Sequence, residues 1–257
     1  MAAALETDLL PVLRDNYVHI VREPRSGAVA VVDPAVADPV IAALEARGLV
    51  PGLILCTHHH PDHVGGVPGL KARFGAEVIA PAAERRRIAM ADRWVAEGDG
   101  IALGAATARV IAVPGHTAGH VAYHFPHEKV LFCGDTLFSL GCGRLFEGTP
   151  EEMWASLLKI RALDPETRLC CAHEYTEANG RFALTLEPEN TALQARMREV
   201  IALRRDGRPT LPTRLDRECA TNPFLRPESP EIRRRLGMEA ASDVAVFAEI
   251  RRRKDRF

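Results

Sequence analysis

Between positions 58 and 63 the chain carries four histidines and an aspartate, in the run Thr57-His58-His59-His60-Pro61-Asp62-His63-Val64-Gly65-Gly66. The run follows the apolar segment 53–56, so these side chains leave the end of a strand. In extended chain, side chains alternate with period two. His58 and His60 therefore point the same way, and His59 points the other way and is expected to be structural. Pro61 starts a turn, and Asp62 and His63 beyond it face a neighbouring position. One loop thus offers two ligands to each of two adjacent metal ions. Gly65 and Gly66 are expected to supply a tight turn into the next helix. Packing gives no reason for such a cluster, and leaving it buried and unpaired would be costly.

Three further candidates stand in equivalent settings: His116 in Pro114-Gly115-His116-Thr117, Asp135 in Cys133-Gly134-Asp135-Thr136, and His173 in Cys171-Ala172-His173-Glu174. Each follows an apolar run that reads as a strand, where a scaffold hands functional groups to a loop. With the first cluster they make five histidines and two aspartates, a donor set suited to zinc, iron and other late divalent ions. A bridging carboxylate from Asp135 would complete a two-metal site. Two ions about 3.5–4 Å apart can hold a hydroxide at neutral pH, because metal binding lowers the pKa of water from ~15.7 toward ~7. A metal-bridged hydroxide would then be the nucleophile, with no catalytic side chain beyond the metal shell. Other schemes lack their residues: the chain has no GxSxG elbow, no P-loop and no dinucleotide fingerprint. Cys142, between Gly141 and Gly143, is assigned to a tight loop. His19, His120, His124 and His127 are read as packing or surface residues.

The elements that must position these groups follow from apolar runs and their terminators. Strands are expected at 18–21, 29–33, 53–56, 77–80, 109–113, 121–125, 130–133 and 168–171. Helices are expected at 38–47, 67–74 and 150–162, the last with Thr149 as N-cap and Glu152 completing a capping box. From about residue 174 the pattern turns helical, with segments at 189–206, 230–237 and 242–253 among proline-rich turns. The class is α/β, layered, with hairpins as well as crossovers.

The composition of the 257 residues is that of an ordinary globular chain: 47% hydrophobic, 26% charged, net charge −1. This excludes disordered, collagen-like and strongly nucleic-acid-binding chains. Charge is uneven, with 16 basic and 20 acidic residues in 1–173 but 17 and 14 in 174–257. The basic end, Arg251-Arg252-Arg253-Lys254-Asp255-Arg256, reads on charge alone more readily as a solvated helix end than as a site for a small anionic partner. No run of about 18 apolar residues spans a membrane, and the start lacks a basic, then apolar, export signal. The six cysteines lie mostly in apolar runs and form no CxxC pair, so reduced buried thiols and a cytoplasmic location are expected.

On these residues the chain resembles a metallo-β-lactamase-fold hydrolase, and more narrowly the hydroxyacylglutathione hydrolase (glyoxalase II) family. The superfamily motif is His58-x-His60-x-Asp62-His63 with His116, Asp135 and His173. The narrower likeness rests on Leu13-Arg14-Asp15-Asn16-Tyr17, Gly134-Asp135-Thr136-Leu137-Phe138, Gly141-Cys142-Gly143-Arg144, His173-Glu174-Tyr175-Thr176, Thr221-Asn222-Pro223-Phe224 and Arg251-Arg252-Arg253-Lys254-Asp255. The resemblance implies a four-layer αββα catalytic domain over 1–173 and a C-terminal α-helical, glutathione-binding domain over 174–257. It implies hydrolysis of S-D-lactoylglutathione, and of other S-2-hydroxyacylglutathiones, to D-lactate and glutathione, as in methylglyoxal detoxification. It implies two divalent ions per chain, zinc first and iron or manganese as alternatives. His58, His60 and His116 would hold one ion, Asp62, His63 and His173 the other, and Asp135 would bridge. Glutathione contacts would fall on Arg144, Tyr175, Arg251 and Lys254. Phe146 stands where relatives often carry tyrosine, which removes one hydrogen bond of about 0.5–1.5 kcal/mol. The expected partner is this small thioester, with no nucleic acid and no membrane, and the expected state is a monomer.

Other readings of the same motif are a lactonase, a β-lactamase, a nuclease, a persulfide dioxygenase with a single iron, or a non-catalytic metal-binding protein. A nuclease would show a broader basic surface than this net charge allows. A periplasmic β-lactamase would need an export signal. The seven-ligand set and the helical extension argue against a single iron.

Overall fold

The computed structural model describes residues 4–257. They divide into two compact units. The first runs to Ala112 and resumes over Ala118–Gly134, and the second takes Val113–Thr117 and Asp135–Phe257.

In the first unit, β1 (Glu6–Val12), β2 (Asn16–Arg22) and β3 (Val29–Val32) form an antiparallel meander. The sheet continues in parallel through β4 (Leu53–Leu55), β5 (Glu77–Pro81) and β6 (Arg93–Val95). The parallel steps are carried by α1 (Asp38–Ala46), then by α2 (Pro61–Val64) and α3 (Val67–Phe74). Period-two alternation sorts the strand residues. Val29, Val31, Ile54, Cys56, Val78 and Ala80 form one core with Val40 and Leu44 of α1 and Val67 and Leu70 of α3. The opposite face meets a second sheet, an antiparallel meander of β7 (Gly100–Leu103), β8 (Ala106–Ala112), β9 (Val121–Phe125) and β10 (Val130–Gly134). His19 of β2 packs edge-on against Phe132 of β10, their rings 5.4 Å apart. A strand such as β3 is therefore covered on both faces, which is why Val-Ala-Val-Val is buried throughout.

In the second unit, Val113–Thr117 is joined by a small hairpin, β11 (Leu137–Phe138) and β12 (Gly141–Cys142), followed by α4 (Pro150–Arg161). α4 starts in the expected capping box, with Thr149 accepting from the Glu152 amide and Glu152 accepting from the Thr149 amide. β13 (Arg168–Cys171) pairs antiparallel with β14 (Thr213–Arg214). The rest is helical: α5 (Thr176–Leu186), α6 (Thr191–Arg205), α7 (Leu215–Thr221), α8 (Pro230–Leu236) and α9 (Asp243–Lys254). Leu140, Ala183, Leu193, Met197 and Val200 form a core around α5 and α6. Phe224 joins Phe182 and Phe247, the latter packed on Trp154 of α4.

The sequence does not announce β1, β6, β7, β11, β12, β14 or α2, and α5 and α7 lie in the stretch expected to be helical but without expected bounds. β1 is an edge strand with only Val12 buried and with Pro11 in it, so it lacks a clear apolar pattern. α5 contains Asn179-Gly180, which reads as a break. A Cβ at Gly180 would lie 1.9 Å from the Met197 sulfur, so glycine there lets α5 approach α6.

Candidate metal centre

In the first unit β4 delivers the histidine cluster. Its carboxyl end is pinned from the second sheet, where the Tyr123 hydroxyl donates to the Cys56 carbonyl at 2.6 Å and the Val121 amide to the Thr57 carbonyl at 3.0 Å. His60 is extended with ψ of 143°, and Pro61 opens α2, whose single turn carries Asp62 and His63. His58 and His63 are fully buried, and the His58 Nε2 and His60 Nδ1 atoms lie 3.0 Å apart. His59 turns away and pairs with Glu84 at 2.9 Å. His120 lies flat against His58, ring centres 4.6 Å apart.

Gly65 and Gly66 both have ordinary helical dihedrals, with φ of −60° and −83°. They form the expected tight turn, the two residues between α2 and α3, without needing a left-handed φ. A Cβ on Gly65 would lie 2.6 Å from the Ala35 carbonyl oxygen, and one on Gly66 would lie 2.5 Å from the Val36 carbonyl carbon. Glycine is required because the 34–36 backbone passes directly over α2.

That passing segment follows Asp33, which the sequence places at the end of a strand. The strand stops at Val32, and Asp33 adopts φ of 50° and is buried. Its Oδ1 accepts the Thr57 amide at 2.8 Å, and its Oδ2 accepts the Thr57 hydroxyl at 2.7 Å and His63 Nδ1 at 3.0 Å. Asp33, His58 and His63 lie close enough to share an ion. Three donors already occupy the Asp33 carboxylate, so it acts behind the ring as an orienting group. A carboxylate only accepts, so His63 Nδ1 carries a proton, and in the neutral ring Nε2 presents a lone pair. That lone pair faces Asp62 Oδ2 at 3.7 Å. Asn16 Nδ2 holds Asp62 through its carbonyl at 3.2 Å and its Oδ2 at 3.1 Å.

The second unit repeats the pattern. His116, Asp135 and His173 are buried, with His116 Nε2 3.4 Å from Asp135 Oδ2 and His173 Nε2 3.3 Å from Asp135 Oδ1. Each carboxylate oxygen thus faces one imidazole nitrogen. His116 Nδ1 donates to the Arg144 carbonyl at 2.9 Å, which leaves Nε2 as the lone pair. His173 stacks in parallel on Tyr175, ring centres 4.7 Å apart. In both units lone pairs and carboxylate oxygens meet at short range, an arrangement that a positive charge between them relieves. The donor set is imidazole nitrogen and carboxylate oxygen, the partners of late divalent ions.

The remaining predicted residues lie in the second unit. Arg144 and Phe146 are exposed, Tyr175 is half-buried, and the Phe146 ring sits edge-on to His116 at 5.2 Å. Lys254 lies over the rings of Phe182 at 5.6 Å and Phe257 at 5.2 Å. Burial, then the charges of Arg251 and Arg144, push its ammonium below the usual lysine range. Arg251 is buried, with Nη1 on the Cys142 carbonyl at 2.8 Å, Nη2 on Asp255 at 2.8 Å, and its guanidinium over Phe224.

Comparison with known proteins gives this arrangement its class. Residues 13–173 match the model of the metallo-beta-lactamase superfamily, and residues 174–257 match that of the hydroxyacylglutathione hydrolase C-terminus. The chain therefore belongs to the metallo-β-lactamase superfamily and has its fold. The crystal structure of ETHE1 from Myxococcus xanthus shares that fold with a TM-score of 0.69 at 21% identity, over 96% of this chain and 90% of that one. Full-length relatives narrow the assignment. The hydroxyacylglutathione hydrolase of Methylococcus capsulatus is 59% identical over 253 residues, 98% of this chain and 99% of that protein. That of Rhodospirillum rubrum is 51% identical over 255 residues, 99% of this chain and all of the relative. Within the superfamily, the chain belongs to the hydroxyacylglutathione hydrolase family.

Proposed function

We propose that this protein is a metal-dependent thioester hydrolase that converts S-D-lactoylglutathione, and other S-2-hydroxyacylglutathiones, to the hydroxy acid and glutathione. The observation that carries this reading is identity of 59% to a protein of that name across 98% of the chain. We assign His58, His60 and His116 to one divalent ion, Asp62, His63 and His173 to a second, and Asp135 to both. Zinc is the expected metal, with iron or manganese as alternatives. A count of two is supported by the seven donors and by TTHA1623, 29% identical over 65% of this chain with a TM-score of 0.56, whose crystal structure is of a di-iron-bound form. We assign catalysis to residues 1–173 and glutathione binding to residues 174–257.

Metal ions bound there would acidify a water and polarise the thioester carbonyl at neutral pH. The chain's own residues hold the donors ready. Asp33 and the Arg144 carbonyl fix the tautomers of His63 and His116, so the ring nitrogens offered inward are unprotonated. Glutathione carries two carboxylates, and Arg144 and Lys254, with Arg251 behind them, supply the matching positive charge. Tyr175 offers a hydroxyl, whereas Phe146 offers only a ring. The leaving thiolate, with a parent pKa of about 8.5 if it resembles cysteine, departs without a strong general acid. Cys142 does not compete as a nucleophile, because burial pushes its thiol up to about 11 and keeps it protonated.

No helix among the described residues is long and apolar enough to cross a membrane. All six cysteines are thiols, which supports a cytoplasmic setting, and we take the protein to act as a monomer.

The test is steady-state hydrolysis of S-D-lactoylglutathione with metal per chain measured on the same preparation. Turnover that chelation removes and zinc restores is expected, and Lys254→Ala should raise KM far more than it lowers kcat. Absence of thioester turnover by metal-loaded protein would overturn the reading.

A further inference from the structure

We propose that Asn222, backed by Glu218 and Arg196, is a positioning residue for the metal ligands Asp135 and His116, acting through the β11–β12 hairpin. The proposal rests on the reading of those two residues as ligands, and all of its contacts lie within the second unit.

Asn222 is fully buried. Its Nδ2 donates to the carbonyls of Phe138 at 3.1 Å and Gly141 at 3.0 Å, one on each side of the hairpin turn, and to Glu218 Oε2 at 3.1 Å. Its Oδ1 accepts the Phe224 amide at 3.1 Å, which fixes the amide orientation. Glu218, also fully buried, accepts the Leu140 amide at 2.8 Å. Leu140 has φ of 58°, a conformation that residues with side chains seldom adopt and that its surroundings must hold. Arg196 pairs with Glu218 and donates to the hydroxyls of Ser139, Thr213 and Thr221. Asn179 takes the Ser139 carbonyl at 3.1 Å. Every residue from 138 to 141 is thus gripped by side chains of α5, α6, α7 or the residue just after α7.

The hairpin leads straight to the proposed ligands. Asp135 stands two residues before β11, and Arg144 two residues after β12. The Gly143 amide donates to the Thr136 carbonyl at 3.2 Å, closing the hairpin base. A Cβ at Gly143 would lie 1.9 Å from the Asp135 carbonyl oxygen and 3.1 Å from His116 Nδ1, so nothing separates this strand from the ligands. The Arg144 carbonyl then receives His116 Nδ1. A shift of the hairpin therefore moves a carboxylate and the acceptor that sets an imidazole tautomer together. A buried polar network that only stabilised helices would have no need to seize the one turn between these two groups.

The experiment measures zinc affinity by chelator competition, beside thermal unfolding of the metal-free protein, for wild type, Asn222→Ala and Ser229→Ala. Ser229 is a matched control: its buried hydroxyl bonds Glu187, a residue outside the hairpin and its clasp, at 2.5 Å in the same unit. Both variants should melt lower. Asn222→Ala should also lose about 10- to 100-fold in zinc affinity, the range for residues that orient ligands, while Ser229→Ala stays within about twofold of wild type. Equal zinc affinity in wild type and Asn222→Ala would overturn the positioning role and leave the metal centre standing. A wild type that binds no zinc would overturn the metal-centre reading itself. If Asn222→Ala does not fold, Asn222→Asp is measured in its place, since it keeps the shape and the Phe224 contact but turns an acceptor toward the three acceptors.

Discussion

Replacing Asp33 with asparagine perturbs the centre without removing any ligand. Asparagine tolerates the left-handed backbone that Asp33 adopts, so the main chain keeps its path. The carboxylate receives three donors, the Thr57 amide, the Thr57 hydroxyl and His63 Nδ1. The amide has one acceptor oxygen and one donor group, and neither orientation serves all three. With the NH2 toward Thr57, an amide donor meets a donor in a buried site, at a cost of about 1–3 kcal/mol. With the NH2 toward His63, the ring must give up its Nδ1 proton and carry it on Nε2, the atom we assign to the metal. We expect the metal-free variant to lose about 1–3 kcal/mol of stability. We also expect zinc affinity to fall about 10- to 100-fold, equivalent to about 1.4–2.7 kcal/mol. Urea unfolding of the metal-free protein reads the first quantity and chelator competition the second. Wild-type zinc affinity in Asp33→Asn would refute the assignment of Asp33 as the group that orients His63.

Gly66→Ala should lose about 1–3 kcal/mol in urea unfolding, because a methyl there strikes backbone at Pro34 and Val36, which cannot swing aside as a side chain would; an unchanged midpoint would show that the 34–36 segment yields freely. Glu249 is held at about 2 by hydrogen bonds from Arg252, then Arg253. Since this lies below the ordinary carboxyl value of 4.5, its stabilisation is present above that pH and fades as pH falls through about 2. Both arginines are exposed, so solvent leaves about 1 kcal/mol or less of it. Glu249→Gln should therefore be less stable than wild type at pH 7 and equal to it near pH 2, and a gap that persists into acid would exclude the ionic origin.

The sequence made the centre legible where residue type alone carries the signal. Histidines and aspartates after apolar runs could be picked out because the strands that bring them are buried on both faces and read as Val, Ile and Leu. Asp33 stayed hidden because an aspartate ending a strand looks like any terminator, and only the fold lays it behind His63. Gly65-Gly66 is legible as the turn into α3 but not as a close approach, because the backbone it accommodates, 34–36, lies some thirty residues earlier. α5 escaped because its glycine is an adjustment to Met197 on another helix. β1 escaped because a half-buried edge strand interrupted by Pro11 has no clean apolar alternation to read.

The grip on the 137–142 hairpin bears on how freely this architecture can be recombined. A gene fragment ending near residue 173 would encode the Asp135 loop yet omit Asn179, Arg196, Glu218 and Asn222, the side chains that hold its turn. The helical segment is thus no detachable accessory that could be traded for another helical module by simple fusion. An exchange at that seam would have to bring its own clasp for the hairpin, so inheritance of the two stretches as one piece is favoured by packing as well as by chemistry.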